Sequence, residues 1–394
     1  MQIDVFPDKL DFQIEIPLKE MKLAVPFDVS KVENLNMKNQ VLVDYLNRHF
    51  KITDFQNQPW KLQIDNIQVK SAEQEFTGKY EELIVNYIAV PTTDDPRSFR
   101  IFYDAVMHQL VSHRTIVVVR QDWETGKTGE QNTEISTLSY NLNQQKVQHL
   151  DVNLEQGNNW TGFLSMVRLG MKHISEGTDH LMFLLALLLT APLVLADRKW
   201  KVNPSLTFSL KKILKITIAF TIGHSITLIL ATLFSFKFPS QLVEIVIALS
   251  ILVTAIHAIK PIFPDKETWV ALIFGLIHGL AFSGILADLN LTSGRLVLSL
   301  FGFNIGIELM QIIVIFLVMP WLLMLSKFKI FTNFKNLLAV FAILAALSWM
   351  YERITEKQTI ISHFLEVFTE NSILFVVFLI LVTAIFSVFK FKKN

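Results

Sequence analysis

Residues 173–196 read HISEGTDHLMFLLALLLTAPLVLA, six polar side chains running directly into an apolar stretch. A bilayer core about 30 Å thick asks for about 20 apolar helical residues, so this segment reads as a transmembrane helix with histidines and carboxylates at its mouth. Comparable runs recur toward the C-terminus. The reading is about seven spans, at 172–196, 211–234, 240–260, 268–288, 295–325, 333–351 and 371–389. The fifth is long enough to be tilted or to extend past the bilayer. Toward the N-terminus the composition changes to polar and mixed. The chain therefore divides into a domain over 1–160 and a transmembrane helical domain over 161–394. The expected fold is a membrane α-helical bundle of about seven transmembrane helices, preceded by a β-sandwich-like extracytoplasmic domain with one helix.

The chain has 394 residues, of which 51% are hydrophobic, and a mean hydropathy of +0.40. Those averages conceal the contrast between the halves. A net charge of +1 advertises no nucleic-acid surface. Without cysteine there is neither a disulfide framework nor a thiolate metal site.

Charge sets the orientation. Loops 197–215, 260–267 and 326–335 and the tail 390–394 are dense in Lys and Arg, with Arg198, Lys199, Lys201, Lys211, Lys212 and Lys215 in the first alone. The opposite side carries Lys237, Arg295, Arg353 and Lys357, plus Arg168 and Lys172 ahead of the first span. The positive-inside rule places the N-terminal domain outside and the C-terminus inside, in a bacterial inner (cytoplasmic) membrane. Trp160, Trp200, Trp269, Trp321 and Trp349 fall near span ends, as an aromatic belt would. Trp160 to Lys172 reads as an amphipathic segment along the outer interface. An outer domain needs a signal to cross, yet the opening MQIDVFPDKLDFQIEIP has no basic n-region and no apolar h-region. The chain accordingly reads as a processed form, or as a sequence lacking its signal.

In the outer domain, residues 1–30 and 60–153 read as strands. WKLQIDNIQVK, KYEELIVNYIAV, SFRIFYDAV and RTIVVVRQDW alternate or carry β-branched runs between turns such as Pro91 to Pro96. Helical spacing appears over Lys38–Phe50. His49, His108, His113 and His149 show no metal-ligand spacing and read as ordinary surface or core residues.

The membrane half holds the chemistry. His173, His180, His224, His257 and His278 lie in the spans with Glu176, Asp179, Asn304, Glu308 and Gln311. A charge at the bilayer centre costs about 2.5–3.5 kcal/mol even on the insertion scale, so such residues should face inward and satisfy one another. Positions 173, 176 and 180 share one helical face, as do 304, 308 and 311. Asp179 points about 100° from His180, toward a neighbouring helix whose imidazole it could orient. Gly275 and Gly279 flank His278 and would admit a helix or an ion. A rise of about 1.5 Å per residue puts His224 and His278 near mid-membrane, His180 about 10 Å below the outer surface, and His257 near the cytoplasmic end, apart from the rest. Thr221, Ser225 and Thr227 read mainly as hydroxyls bonded to their own helix. The expected metal set is His173, Asp179, His180, His224, His278 and Glu308, supported by Glu176, Ser225, Asn304 and Gln311. Imidazole and carboxylate without sulfur suit a divalent Ni, Co or Zn ion, which the donors do not distinguish.

Four segments, 173–187 (HISEGTDHLMFLLAL), 220–228 (FTIGHSITL), 274–282 (FGLIHGLAF) and 303–311 (FNIGIELMQ), resemble the HupE/UreJ family of membrane proteins, in particular its longer members with an extracytoplasmic N-terminal domain. The family's His-x5-Asp-His motif matches His173, Asp179 and His180. The resemblance implies nickel or cobalt permeation. Three functions stand at this stage. The first is a permease or channel for a divalent transition metal, driven by a gradient or a separate partner because no P-loop is present. The second is a zinc-dependent seven-helix intramembrane hydrolase, with Ser225 beside His224. The third is a sensing or structural membrane protein. The expected partners are the metal ion, membrane lipid and an extracytoplasmic protein bound by the outer domain, with no nucleic acid.

Overall fold

The structure, a computed structural model, describes residues 1–29, 31, 34–74, 78–92, 95–203, 205–234, 238–287, 293–359, 377 and 379–383. It divides into two compact units, Met1–Ser165 and Met166–Asn394.

The N-terminal unit is β-rich. Its strands are β1 (Gln2–Val5), β2 (Leu10–Pro17), β3 (Phe50–Thr53), β4 (Lys61–Gln74), β5 (Gly78–Val90), β6 (Ser98–Tyr103), β7 (Arg114–Asp122), β8 (Lys127–Asn141), β9 (Lys146–Val147) and β10 (Leu150–Asn153). They form a seven-stranded sheet in the order β4-β5-β2-β1-β7-β8-β9 and a three-stranded sheet in the order β10-β6-β3. Pairing is antiparallel throughout except for β1 against β7. Alternation drives the layering. Along β2, Leu10, Phe12, Ile14 and Ile16 are buried and the residues between them are not. Phe12 meets Phe50 and Phe99 of the smaller sheet edge-on, at 5.4 and 6.3 Å between ring centroids, so the two sheets share one core.

Two α-helices are present where one was expected. A single turn, α1 (Leu18–Met21), occupies a stretch read as strand, and α2 (Gln40–His49) is capped by Asn39, whose side chain accepts from the Val41 and Leu42 amides. Arg97 is buried at the end of the large sheet. It grips Asp122 through both guanidinium amines (2.9 and 2.7 Å), Glu124 (2.9 Å) and the Glu155 carbonyl (2.7 Å), which ties the segment after β10 to the end of β7.

The second unit is helical. Its elements are α3 (Asn159–Glu176, which begins in the first unit), α4 (Thr178–Thr190), the hairpin β11 (Leu193–Ala196) and β12 (Lys199–Val202), α5 (Leu206–Leu233), α6 (Ser240–Ile259), α7 (Glu267–Ala287), α8 (Ser293–Ser326) and α9 (Phe331–Thr355). Among the described residues, α5, α6, α8 and α9 are by length and composition the four helices able to cross a membrane, while α4 and the Glu267–Ala281 stretch of α7 are shorter apolar helices. The seven long spans are thus not reproduced among the described residues. The seventh, 371–389, lies outside them apart from residues 377 and 379–383.

The first expected span, 172–196, is also not one helix. It breaks at Gly177, where a Cβ would lie 2.6 Å from the His173 carbonyl and 2.9 Å from His180 Nδ1. After Thr190 the chain turns back as a hairpin. Pro192 cannot continue a helix, and Asp197 and Arg198 both take positive φ (53° and 59°), the geometry of a two-residue type I′ turn. The segment read as interfacial, Trp160 to Lys172, lies within α3. At Gly170 that helix touches the α8 backbone, for a Cβ there would be 2.1 Å from the Phe303 carbonyl.

Candidate metal centre

Backbone contact between α5 and α7 begins the site. Cβ atoms added at Gly223, Gly275 and Gly279 would lie 2.2 Å from the Leu272 carbonyl, 2.1 Å from the Phe220 carbonyl and 2.4 Å from the His224 carbonyl. Only glycine permits this approach, and it sets His224 beside His278 in the interior. The glycines flanking His278 therefore admit a helix, α5. The break at Gly177 brings His173, from the end of α3, against His180, from the start of α4, with ring centroids 4.6 Å apart. His180 lies 5.0 Å from His278 and 6.4 Å from His224, and His173 lies 6.2 Å from His224.

Donor atoms of His173, His180 and His224 lie within 4.8 Å of one another, as do those of Asp179, His180 and His278. Two ligands on opposite sides of an ion with bonds of about 2.1 Å sit about 4.2 Å apart. Either triad therefore needs only a small inward shift to close on an ion, and His180 belongs to both.

Hydrogen bonds assign the lone pairs. Asp179 Oδ1 lies 2.9 Å from His180 Nδ1. The carboxylate can only accept, so Nδ1 carries the proton and Nε2 the lone pair. Asp179 thus orients its sequence neighbour and not an imidazole on another helix. It occupies the first turn of α4, where the helix dipole favours negative charge. On α6, Ser250 Oγ donates its proton to the Ile247 carbonyl at 2.7 Å and lies 3.1 Å from His278 Nε2. It therefore accepts from Nε2–H, and His278 keeps its lone pair on Nδ1. His180 Nε2, His278 Nδ1 and both nitrogens of His224 are buried without a hydrogen-bond partner among the described residues. Leaving such a group unsatisfied costs about 1–3 kcal/mol. Several such nitrogens lie on neighbouring histidines, His224 among them fully buried, and a Lewis acid bound there would satisfy them.

The remaining expected site residues lie elsewhere. Glu308 is in neither triad. Glu308 Oε2 and Gln311 Oε1 accept from Thr221 Oγ1 (2.9 and 3.2 Å), and Asn304 Oδ1 lies 2.7 Å from Ser225 Oγ. The 304/308/311 face of α8 is turned onto the hydroxyl face of α5, so its polar groups join the two helices. Thr221 bonds across to α8, Ser225 bonds both across and to the Thr221 carbonyl of its own helix, and Thr227 bonds only along its own helix, to the Gly223 carbonyl. Glu176 points away: its side chain is 67% exposed and sits 3.8 Å from Lys172, in the last turn of α3 just ahead of the break at Gly177. His257 is separate. Its Nδ1 accepts from the Ile262 and Phe263 amides (3.0 and 3.3 Å), its carbonyl accepts from Trp200 Nε1 (2.9 Å), and its Nε2 faces Glu267 at 3.7 Å. Lys335, read as a loop charge, is buried in α9 and bonds the Ala258 carbonyl at the end of α6.

Sequence reasoning passed over three features. Ser250 belongs to no motif. Phe183, Phe220 and Phe274 form a layer on one side of the imidazoles, with Phe183 5.0 Å from Phe220, 5.9 Å from Phe274 and 5.5 Å from His278. Each lies one turn from a site histidine (180→183, 224→220, 278→274), a spacing readable in principle. On another side, a cleft of about 350 Å³ reaches Asp179, with Glu176, Glu244, Trp349 and Arg353 in its walls, and there Arg353 is paired with Glu244.

A family model described as HupE / UreJ protein matches residues 148–353, just over half of the chain. No curated protein and no solved structure matches it.

Proposed function

The chain belongs to the HupE/UreJ family, and from that premise we propose that it is a permease for a divalent transition-metal cation of the nickel or cobalt class. The observation that carries this reading is the convergence of buried ring nitrogens without hydrogen-bond partners on Asp179 and His180. All the donors are nitrogen or carboxylate oxygen, a set suited to borderline divalent ions. The family's association with nickel and cobalt supply favours those two over zinc.

The overlap of the triads favours movement over storage. An ion held by Asp179, His180 and His278 passes to His173, His180 and His224 without leaving His180, so no step strips it bare. Conduction needs sites that bind well enough to admit an ion and weakly enough to release it. The cleft beside Asp179, with Glu176 and Glu244 in its walls, supplies the approach. The charge asymmetry of the loops supports an inner-membrane protein with the N-terminal domain outside and the C-terminus inside. In that orientation the outer domain is placed to receive the ion or a protein partner, and the phenyl layer lies on the cytoplasmic side of the site.

Uptake of Ni²⁺ and Co²⁺ into vesicles reconstituted with the purified chain tests the proposal. Wild type should accumulate both, and His180→Ala, which removes the ligand common to both triads, should abolish uptake and the metal-dependent thermal shift. Undiminished uptake by His180→Ala would overturn it.

A further inference from the structure

The N-terminal unit carries a second cleft, of about 340 Å³, within the range of about 300–1,000 Å³ typical of small-molecule sites. Arg48 and His49 line it from the end of α2, Lys51 and Thr53 from β3, Phe102 and Tyr103 from β6, and Gln148 and His149 from the segment after β9. Its charge is one-sided. Arg48 and Lys51 are exposed and make no ion pair among the described residues. The carboxylate in its wall, Asp104, is already engaged, 2.7 Å from His49 Nδ1. Burial works to raise that carboxyl, but the His49 hydrogen bond and the charges of His49 and His108 hold it below the ordinary carboxylate range. Asp151 nearby is clasped by Arg100 at 2.6 and 3.1 Å. Arg48 also suits the C-terminal end of the helix dipole, but that does not account for Lys51 on a strand facing the same space.

The walls are prepared as well as charged. His49 is stacked on His108 with 4.2 Å between centroids and lies 4.5 Å from Tyr45, so its ring is fixed. Phe102, 37% exposed, presents an apolar surface beside the two cations. A bare divalent cation is repelled by Arg48 and Lys51, and inorganic phosphate leaves the phenyl face unused. A small carbon skeleton bearing several carboxylates uses both.

We propose that this cleft binds a small organic polyanion of the di- or tricarboxylate class, with Arg48 and Lys51 pairing its carboxylates and Phe102 packing on its skeleton. Such an anion arrives either free or as the chelate of a divalent metal. The site stands independently of the membrane centre, because none of its residues is shared with it.

The test is titration calorimetry on the full chain in detergent at low salt, with citrate, nickel citrate and inorganic phosphate as probes. Wild type should bind citrate at one site per chain, and phosphate at least tenfold more weakly. The Arg48→Gln/Lys51→Gln double variant should lose at least tenfold in citrate affinity, and Lys38→Gln, an exposed cation outside the cleft, should lose nothing. Both replaced residues are exposed, so the double variant should unfold at the wild-type temperature. His278→Ala should leave citrate binding unchanged, which separates this site from the membrane one. Tighter binding of nickel citrate than of citrate identifies the chelate as the ligand, and the reverse order identifies the free acid. No binding of either up to millimolar concentration, equal affinity in the double variant, or phosphate binding as tight as citrate would each overturn the proposal.

Discussion

Gly223→Ala tests whether backbone contact between α5 and α7 sets the spacing of the imidazoles. The added Cβ would stand 2.2 Å from the Leu272 carbonyl oxygen and 2.9 Å from the Leu276 nitrogen. Carbon and oxygen rest at about 3.3 Å or more, so the helices must part by about 1 Å. Overpacking of this kind costs about 1–3 kcal/mol, which paired helices of 28 and 21 residues can absorb without unfolding. The site has less latitude, because metal–ligand distances hold to about ±0.2 Å. A displacement of about 1 Å between His224 and the α4 ligand is several times that tolerance. Nickel affinity, read from the metal-dependent thermal shift, should fall at least tenfold while far-ultraviolet circular dichroism stays helical. Gly294→Ala is the control, since its Cβ would meet nothing within 4 Å. If Gly223→Ala fails to assemble, Gly279→Ala gives a milder version, 2.4 Å from the His224 carbonyl. A variant that binds nickel like wild type would refute the reasoning, since the glycines would then serve packing alone.

Three further outcomes are expected. His278→Ala should lose metal-dependent stabilisation with little change in intrinsic stability, since intramembrane hydrogen bonds average about 0.6 kcal/mol; His257→Ala should do the reverse, because it strips the acceptor from the Ile262 and Phe263 amides. Equal effects in a paired melting experiment would contradict the assignment of the two histidines. Arg97→Ala leaves buried Asp122 uncompensated and should cost about 3–5 kcal/mol in urea unfolding followed by Trp fluorescence; a loss under about 1 kcal/mol would mean the knot is dispensable. Burial and the charge of Glu15, a diagonal cross-strand neighbour, raise the Glu82 carboxyl above its ordinary range. The folded state then binds a proton more readily than the unfolded one, so wild type gains stability as pH falls through that raised range. Glu82→Gln should be the more stable form at pH 7 by about 0.2–1 kcal/mol, with the gap closing on acidification; a gap independent of pH would sink this account.

What could be read from the chain follows from which forces act locally. Hydropathy located α5, α6, α8 and α9 within a few residues, because length and apolarity are local properties. The same apolarity concealed the break at Gly177 and the hairpin over 193–202, since Leu-Val-Leu-Ala suits a span as well as a strand. The imidazoles stood out because histidine is costly in a membrane. Glu308 was drawn in with them because periodicity shows that 304, 308 and 311 share a face but not which helix that face meets. Thr221 and Ser225, on α5, settle that question. Gly275 and Gly279 were visible beside His278, whereas Gly223 and Ser250 acquire their roles only when α5, α6 and α7 come together. The polyanion cleft had no sequence signature, because Arg48 and His149 lie a hundred residues apart and neither belongs to a spaced pattern.

On the proposed permease reading, the layer formed by Phe183, Phe220 and Phe274 would make the resting molecule an electrical insulator. An isolated ion in such an apolar layer meets a Born penalty of tens of kcal/mol, which would bar a metal ion or a stray proton from that route. Current can then flow only when side chains move aside for each ion in turn. Turnover in that case is paced by protein motion, in the microsecond-to-millisecond range of collective rearrangements, and not by diffusion through an open pore. Flux should saturate with external metal and carry a steep temperature dependence, the behaviour of a turnstile and not of a wire.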